Sequence, residues 1–199
     1  MTLNLLIIIV SYLVGSIPFG LLLGRLAGID VRTGGSGNIG ATNVSRLAGK
    51  KMGAATLLFD AGKGFLPMVA ANFLGFDQQT VIFCGAATFI GHLFPLYLRF
   101  QGGKGVATAL GVFLYLSPLA LLLCIICFVF TVALSGYVSV GSLLAAGLMP
   151  AVIFFLEGSG SFFYLTIFIS VLIWLKHTRN IVRLLHHEEK SWKKKRSEI

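Results

Sequence analysis

Charge is what this sequence has least of. Asp, Glu, Lys and Arg make up 12% of its 199 residues, about half the roughly 25% of a soluble domain. With 56% hydrophobic residues and a mean hydropathy of +0.90, the chain reads as an integral membrane protein. Carboxylates are scarcest, at seven, so a hydrolase triad is hard to assemble, and the GxSxG elbow is absent. Cysteine is scarce too. Cys84, Cys124 and Cys127 all fall in apolar runs, which rules out a disulfide framework. The CxxC spacing of "CIIC" lacks the polar surroundings and further ligands of a metal or redox site. No metal-ligand cluster stands out elsewhere in the sequence, and no cofactor is expected.

Positive charge is in excess, +9 net, but unevenly placed. Of 16 Lys and Arg, 15 fall in residues 25–52, in residues 99–104, or from Lys176 onward; Lys63 alone lies inside an apolar span. Nucleic acid would need a basic face on a soluble module and is not an expected partner. Topology accounts for the pattern better. The first apolar run, about 3–28, has no basic residue before it and no small-residue cleavage site after it. It therefore reads as a span and not a signal peptide. Gly20, Gly24 and Gly28 recur along it at a spacing suited to close helix packing.

The connections at 75–78 and 157–160 hold Asp77 and Glu157 and no basic residue. By the positive-inside rule the basic segments are cytoplasmic and these acidic loops outside. The N-terminus is then outside and the C-terminus cytoplasmic. Parity next divides the apolar run at 105–134, because single crossings from there would leave the tail outside. A break at Ser117–Pro118 restores parity, since proline ends one helix and favours the start of another. The expected fold is an all-α polytopic bundle of seven spans in a single transmembrane domain. The spans are about 3–28, 53–74, 79–98, 105–116, 118–134, 137–156 and 161–176, followed by an interfacial helix and basic tail, 177–199. Five spans, with one run re-entrant or merged, is the other solution.

Glycine-rich polar segments gather at the cytoplasmic face. "GGSGNIGATNVSR", Gly34 to Arg46, contains GxGxxG, but no strand precedes it and Asp60 falls within the second span, so a dinucleotide fold is excluded. The loop still suits a phosphate or carboxylate. Gly37 and Gly40 let backbone amides approach a ligand, Ser36, Asn38, Thr42 and Asn43 are donors, and Arg46 is a counter-charge. "GHLFPLYLRFQGGKGVAT", Gly91 to Thr108, places Gly102, Gly103, Lys104 and Gly105 where the fourth span begins, and a helix start with a lysine favours an anion. It is no Walker A loop: Leu98 stands at the first glycine, and Gly105 follows the lysine. His92, in an apolar helix end, reads as a packing residue.

"KHTRNIVRLLHHEE", Lys176 to Glu189, sets His177, Asn180 and Leu184 at helical spacing with Arg183 nearby. His177 is the histidine suited to acid–base chemistry; taken alone, the stripe also fits an interfacial helix. Ser139 and Ser142 are further donors in an inside turn. Asp60 and Lys63 each cost about 2.5–3.5 kcal/mol at the centre of a span. They share a helix face, as a structural pair or as part of the site, and Gly62, Gly64 and Pro67 predict an irregular helix there. An enzyme acting on phosphorylated substrates and a phosphate or organic-anion transporter both fit. The absence of a clear repeat and the gathering of polar segments at one face favour the enzyme.

In this order and spacing, "GSGNIGATNVSR", "GHLFPLYLRFQGGKGVAT" and "HTRNIVRLLHHEE" resemble the three cytoplasmic motifs of the PlsY family, the bacterial acyl-phosphate:glycerol-3-phosphate acyltransferases. The likeness extends to "IPFG" (Ile17–Gly20), to Asp60 with Lys63 and Gly64, and to the serine-rich turn. No HxxxxD pair of the common glycerolipid acyltransferases is present, since Tyr97, Val182, Ser191 and Trp192 stand five residues after the histidines. The resemblance implies transfer of a fatty acyl group from acyl phosphate to the 1-hydroxyl of glycerol 3-phosphate, giving lysophosphatidic acid and phosphate. It implies a multi-pass protein of the bacterial inner membrane with its site toward the cytoplasm, and no obligate protein partner. Direct transfer without an acyl-enzyme fits so activated a donor. Gly102, Gly103, Lys104, Gly105 and Thr108, with Ser36, Gly37, Asn38, Gly40, Thr42, Asn43 and Ser142, would bind acyl phosphate or phosphate. Arg46, His177, Asn180, Arg183 and Glu189 would bind glycerol 3-phosphate. Lys104, His177 and Asn180 would serve catalysis, with His177 or a substrate phosphate oxygen taking the proton. One departure is visible: the family usually has glycine where this chain has His187, which bears on the local backbone.

Overall fold

The computed structural model describes residues 2–193, and every regular element in them is helical. Lys194, Lys195 and Arg196 of the basic tail lie outside the described residues. The chain divides into two compact units, one up to Pro118 and one from Leu119.

In the first unit, α1 (Thr2–Gly15) packs on α5 (Gln78–Leu93), and α4 (Lys50–Phe73) packs on α3 (Ala41–Ala48), α5 and α6 (Val106–Leu116). The first span is broken. α1 stops at Gly15 and α2 covers Phe19–Leu26, because Pro18 lacks an amide hydrogen and its ring obstructs a continuous ladder. The expectation of one helix with three glycines on a face is corrected accordingly. Gly28 lies past the end of α2 in open space, whereas a side chain at Gly20 or Gly24 would collide with Ile39 or Val31. α4 crosses α6 at Gly64 and Gly111, where a Cβ would overlap the backbone of Thr108 or Ala61. An irregular helix is expected at Gly62–Pro67; α4 nonetheless runs unbroken through Pro67, which can donate no amide hydrogen to the ladder. Neighbouring helices let membrane spans tolerate an interior proline.

The second unit holds α7 (Pro118–Ser135), α8 (Val138–Glu157), α9 (Ser161–Lys176) and α10 (Thr178–Leu185). α6 ends at Leu116 and α7 starts at Pro118, the division that parity required. Ser170 Oγ donates to the Ala146 carbonyl at 2.7 Å and ties α9 to α8. Among the described residues, five stretches are long and apolar enough to cross a membrane: Thr2–Leu26, Lys50–Phe73, Gln78–Leu98, Pro118–Ser135 and Val138–Glu157. α9 and α10, bent by 51° to each other, make a sixth candidate, and α6 is a shorter apolar helix. Leu58, Phe73, Phe130 and Phe155 are among many exposed apolar side chains, as expected of helices solvated by lipid.

Candidate functional site

In the first unit, Leu21, Val31, Ile39 and Val44 form a small buried core beneath the first motif. Leu98 of the second motif packs against the same core, which brings the two motifs together. Asn43, 2% exposed, organises the loop above it. Its Oδ1 accepts from the Ser36 amide at 2.8 Å, and its Nδ2 lies 2.8, 3.2 and 2.9 Å from the carbonyls of Val31, Gly34 and Asn38. The sequence assigned Asn43 to a ligand; its amide is instead committed to the loop, because four backbone groups need a partner there. Asn38 Oδ1 accepts from Gly40 N at 2.8 Å, and Gly37 N donates to Gly34 O at 2.9 Å. Several amides expected to meet a ligand thus hold the loop's own shape. Two helix starts do not. α3 begins on Gly40 and α6 on Gly105, neither with a side-chain cap. In α3 the Asn43 amide already donates to Gly40 O at 3.0 Å. The first two amides of a helix have no intrahelical partner, and a glycine cap puts no side chain in competition with an anion for them. Ser36 is half-buried, and Thr42 and Arg46 are exposed.

Glycine at 102, 103 and 105 has a packing cause. Gly103 N–H donates to the His92 carbonyl at 3.1 Å. A Cβ on Gly102 would overlap that carbonyl, and one on Gly103 would overlap the imidazole. Gly105 sits at φ 86 against Phe89 and Leu93, a conformation that disfavours side chains. The segment therefore lies directly on α5 and delivers a half-buried Lys104 to the start of α6. Thr108 is wholly buried in α6, and its Oγ1 makes no hydrogen bond. Behind the segment, Lys63 Nζ lies 2.9 Å from Asp60 Oδ1, with His92 Nδ1 3.7 Å from the same oxygen. The i,i+3 pair was legible in the sequence. The third member was not, because no local spacing links His92 to α4.

The second unit gathers the third motif around one carboxylate. Glu189 Oε1 accepts from Ser139 Oγ at 2.8 Å and from Asn180 Nδ2 at 2.6 Å, and its Oε2 accepts from Arg183 Nε at 2.7 Å. Burial raises the Glu189 pKa, but the hydrogen bonds from Arg183, Asn180 and Ser139 and the guanidinium charge outweigh it and hold the carboxyl below its ordinary value. The sequence placed Glu189 on glycerol 3-phosphate. In the structure its Oε1 accepts from two protein donors and its Oε2 from one, which ties Ser139, Asn180 and Arg183 to one carboxylate. Ser139, read as a ligand donor, is one of them. Ser142 Oγ donates to the Val138 carbonyl at 2.9 Å.

His177 stands at the bend, 2% exposed. Its Nδ1 lies 2.8 Å from the Ile173 carbonyl, and Thr178 Oγ1 bonds to Leu175 O. Side chains entering the helical ladder account for the bend. A carbonyl only accepts, so Nδ1 carries the proton and Nε2 is the basic nitrogen of the neutral ring. After α10, His187 adopts φ 57. Its amide donates to Leu184 O at 3.2 Å and that of Glu188 to Arg183 O at 2.7 Å, the paired bonds of a Schellman turn. This left-handed turn suits the glycine usual in the family, and it sends the chain back so that Glu189 reaches α10.

Among the described residues, no group of three His, Cys, Asp or Glu could hold a metal ion. Residues 5–187 match the family model for glycerol-3-phosphate acyltransferase. The glycerol-3-phosphate acyltransferase of Desulfotalea psychrophila is 56% identical, covering 94% of this chain and 97% of the relative. That of Trichlorobacter lovleyi is 49% identical over 97% and 100% of the two chains. Crystal structures of PlsY (YgiH), an integral membrane glycerol 3-phosphate acyltransferase, are similar at 38% identity. The glycerol 3-phosphate form has a TM-score of 0.90 and 96% coverage of both chains, and the lysophosphatidic acid form a TM-score of 0.88. These relatives are acyltransferases, which removes the transporter reading. The chain belongs to the glycerol-3-phosphate acyltransferase family of PlsY.

Proposed function

We propose that this acyltransferase takes its acyl group from acyl phosphate and passes it directly to the 1-hydroxyl of glycerol 3-phosphate. The observation that carries the reading is where α3 and α6 start. Among the described residues they are two of the four helices that start on a glycine without a side-chain cap, and they start within the first and second glycine-rich motifs. Two substrates that each bear a phosphate need two such anion sites. Lys104 and the first amides of α6 hold the acyl-phosphate head and stabilise charge developing on the leaving phosphate. Thr108 lies one turn further on. Ser36, Thr42, Arg46 and the start of α3, in the loop shaped by Gly37, Asn38, Gly40 and Asn43, bind the second phosphate or complete the first site.

His177 and Asn180 orient the acceptor, Arg183 adds positive charge, and Ser142 is a further donor to acyl phosphate or phosphate. The hydroxyl oxygen forms a bond to the acyl carbon. The carbon–oxygen bond to phosphate breaks, and its electron pair leaves with the phosphate. The hydroxyl proton passes to His177 Nε2 or to a substrate phosphate oxygen. The Ile173 carbonyl holds Nδ1–H and supports the first route.

The same reading gives a multi-pass protein of the bacterial inner membrane, with one transmembrane domain of seven spans, α6 being the short one. The N-terminus is outside, and the C-terminus and the site are cytoplasmic. Purified protein in detergent, given acyl phosphate and glycerol 3-phosphate, should release phosphate only when the acceptor is present. Release without acceptor, or none with both substrates, would overturn the reading. An acylated protein trapped on rapid quench would argue against direct transfer.

A further inference from the structure

Asp60, Lys63 and His92 have no role in the chemistry above, yet their side chains are at most 3% exposed. Lys63 Nζ pairs with Asp60 Oδ1 at 2.9 Å and donates at 2.7 Å to the Ile17 carbonyl, at the Pro18 break in the first span. Asp60 Oδ1 also faces His92 Nδ1 at 3.7 Å. The opposite side of His92 carries the glycine segment: its carbonyl accepts from Gly103 N–H at 3.1 Å, and its Nε2 occupies the space a Gly103 Cβ would need. One histidine therefore stands between a buried ion pair and the segment that delivers Lys104.

We propose that Asp60, Lys63 and His92 form a positioning unit for Gly102–Gly105. The Asp60 carboxylate, 3.7 Å from His92 Nδ1, orients the imidazole by charge and packing, and the imidazole fixes where Lys104 and the start of α6 meet the donor phosphate. The proposal rests on the reading of that segment as the acyl-phosphate seat. A buried ion pair is seldom more stabilising than an apolar pair of similar volume, and charges within a span are costly. Its contribution here is direction. Gly102 and Gly103 have no side chains with which to hold themselves, so their placement depends on what they lie against, and a site loses rate when its supporting groups are loose.

Neutralising one charge would leave its partner buried and unmatched, so the test uses Asp60→Asn combined with Lys63→Met. A second variant, His92→Gln, leaves the ion pair intact. Each protein is purified in detergent, its melting temperature is measured, and both substrates are varied in steady-state assays. Both variants should melt near the native temperature and show a KM for acyl phosphate raised about tenfold to a hundredfold, with KM for glycerol 3-phosphate within about twofold. A folded variant with native kinetics overturns the proposal. So does loss of folding in both variants, or a loss of kcat that follows melting temperature with both KM values unchanged, since each marks the cluster as structural only. Lys104→Ala tests the underlying reading separately: native kinetics in that variant would show that the seat itself is misassigned, whatever the cluster variants do.

Discussion

The two glycine-rich motifs of the first unit rely mainly on backbone: the glycine-led starts of α3 and α6, joined by Lys104 and Arg46, and a loop whose side chains mostly hold the loop itself. The second unit relies on side chains, with Ser139, Asn180 and Arg183 converging on the Glu189 carboxylate and His177 fixed through a backbone carbonyl. Backbone amides recognise negative charge but do not ionise near neutral pH, so they cannot serve as acid or base there. Side chains with their own hydrogen-bond partners can hold a tautomer and move a proton. Under the proposed function, phosphate recognition and proton handling are separated by the kind of group as well as by sequence.

The sharpest way to break that comparison is Lys104→Ala. It removes the full charge at the start of α6 and should lower acceptor-dependent phosphate release about 10³-fold; near-normal turnover would sink the assignment. His177→Ala should lower turnover about 10²-fold and abolish the rise of rate with pH that a histidine base produces. If that rise persists, the proton goes to a substrate phosphate oxygen, and the second unit only orients the acceptor.

Glu189→Gln addresses what holds the second unit together. The folded pKa lies below the ordinary carboxyl value, so its stabilising contribution is present at neutral pH and is lost as pH falls through the folded value. The variant should lose about 2 kcal/mol at neutral pH and show a weaker acid-side decline in melting temperature than the native chain. An undiminished acid decline would assign it to other carboxylates. The smallest effect belongs to His187→Gly, which removes the strain of a left-handed residue and should stabilise by up to about 1 kcal/mol. A lower melting temperature there would mean that the imidazole makes a contact outweighing the strain.

What was legible in the sequence follows from what local patterns encode. Hydropathy located the long helices, and a proline with a parity argument located the break before α7. The break at Pro18 was missed because the apolar run continues through it and Gly20 and Gly24 fit a single helix face. Residue type showed that Asn43, Ser139 and Glu189 belong to polar networks. It did not show which way their groups point, and each turned out to face protein partners. The departure at His187 pointed to an unusual backbone, and the left-handed turn there is the reason glycine suits the position. The seat of Gly103 on His92 was beyond reach, since it depends on the packing of α5 against a distant loop.

The bonds of Asn43 also bear on the thermodynamics of binding. An isolated glycine-rich loop samples many conformations, and a phosphate that ordered it would lose affinity to the entropy of that ordering. Here the ordering is complete before any ligand arrives, because one buried amide satisfies Ser36 N and three carbonyls at once. Under the proposed function, a phosphate entering here would mainly displace water from helix amides already in place, and its affinity would depend on electrostatics and desolvation with little contribution from folding.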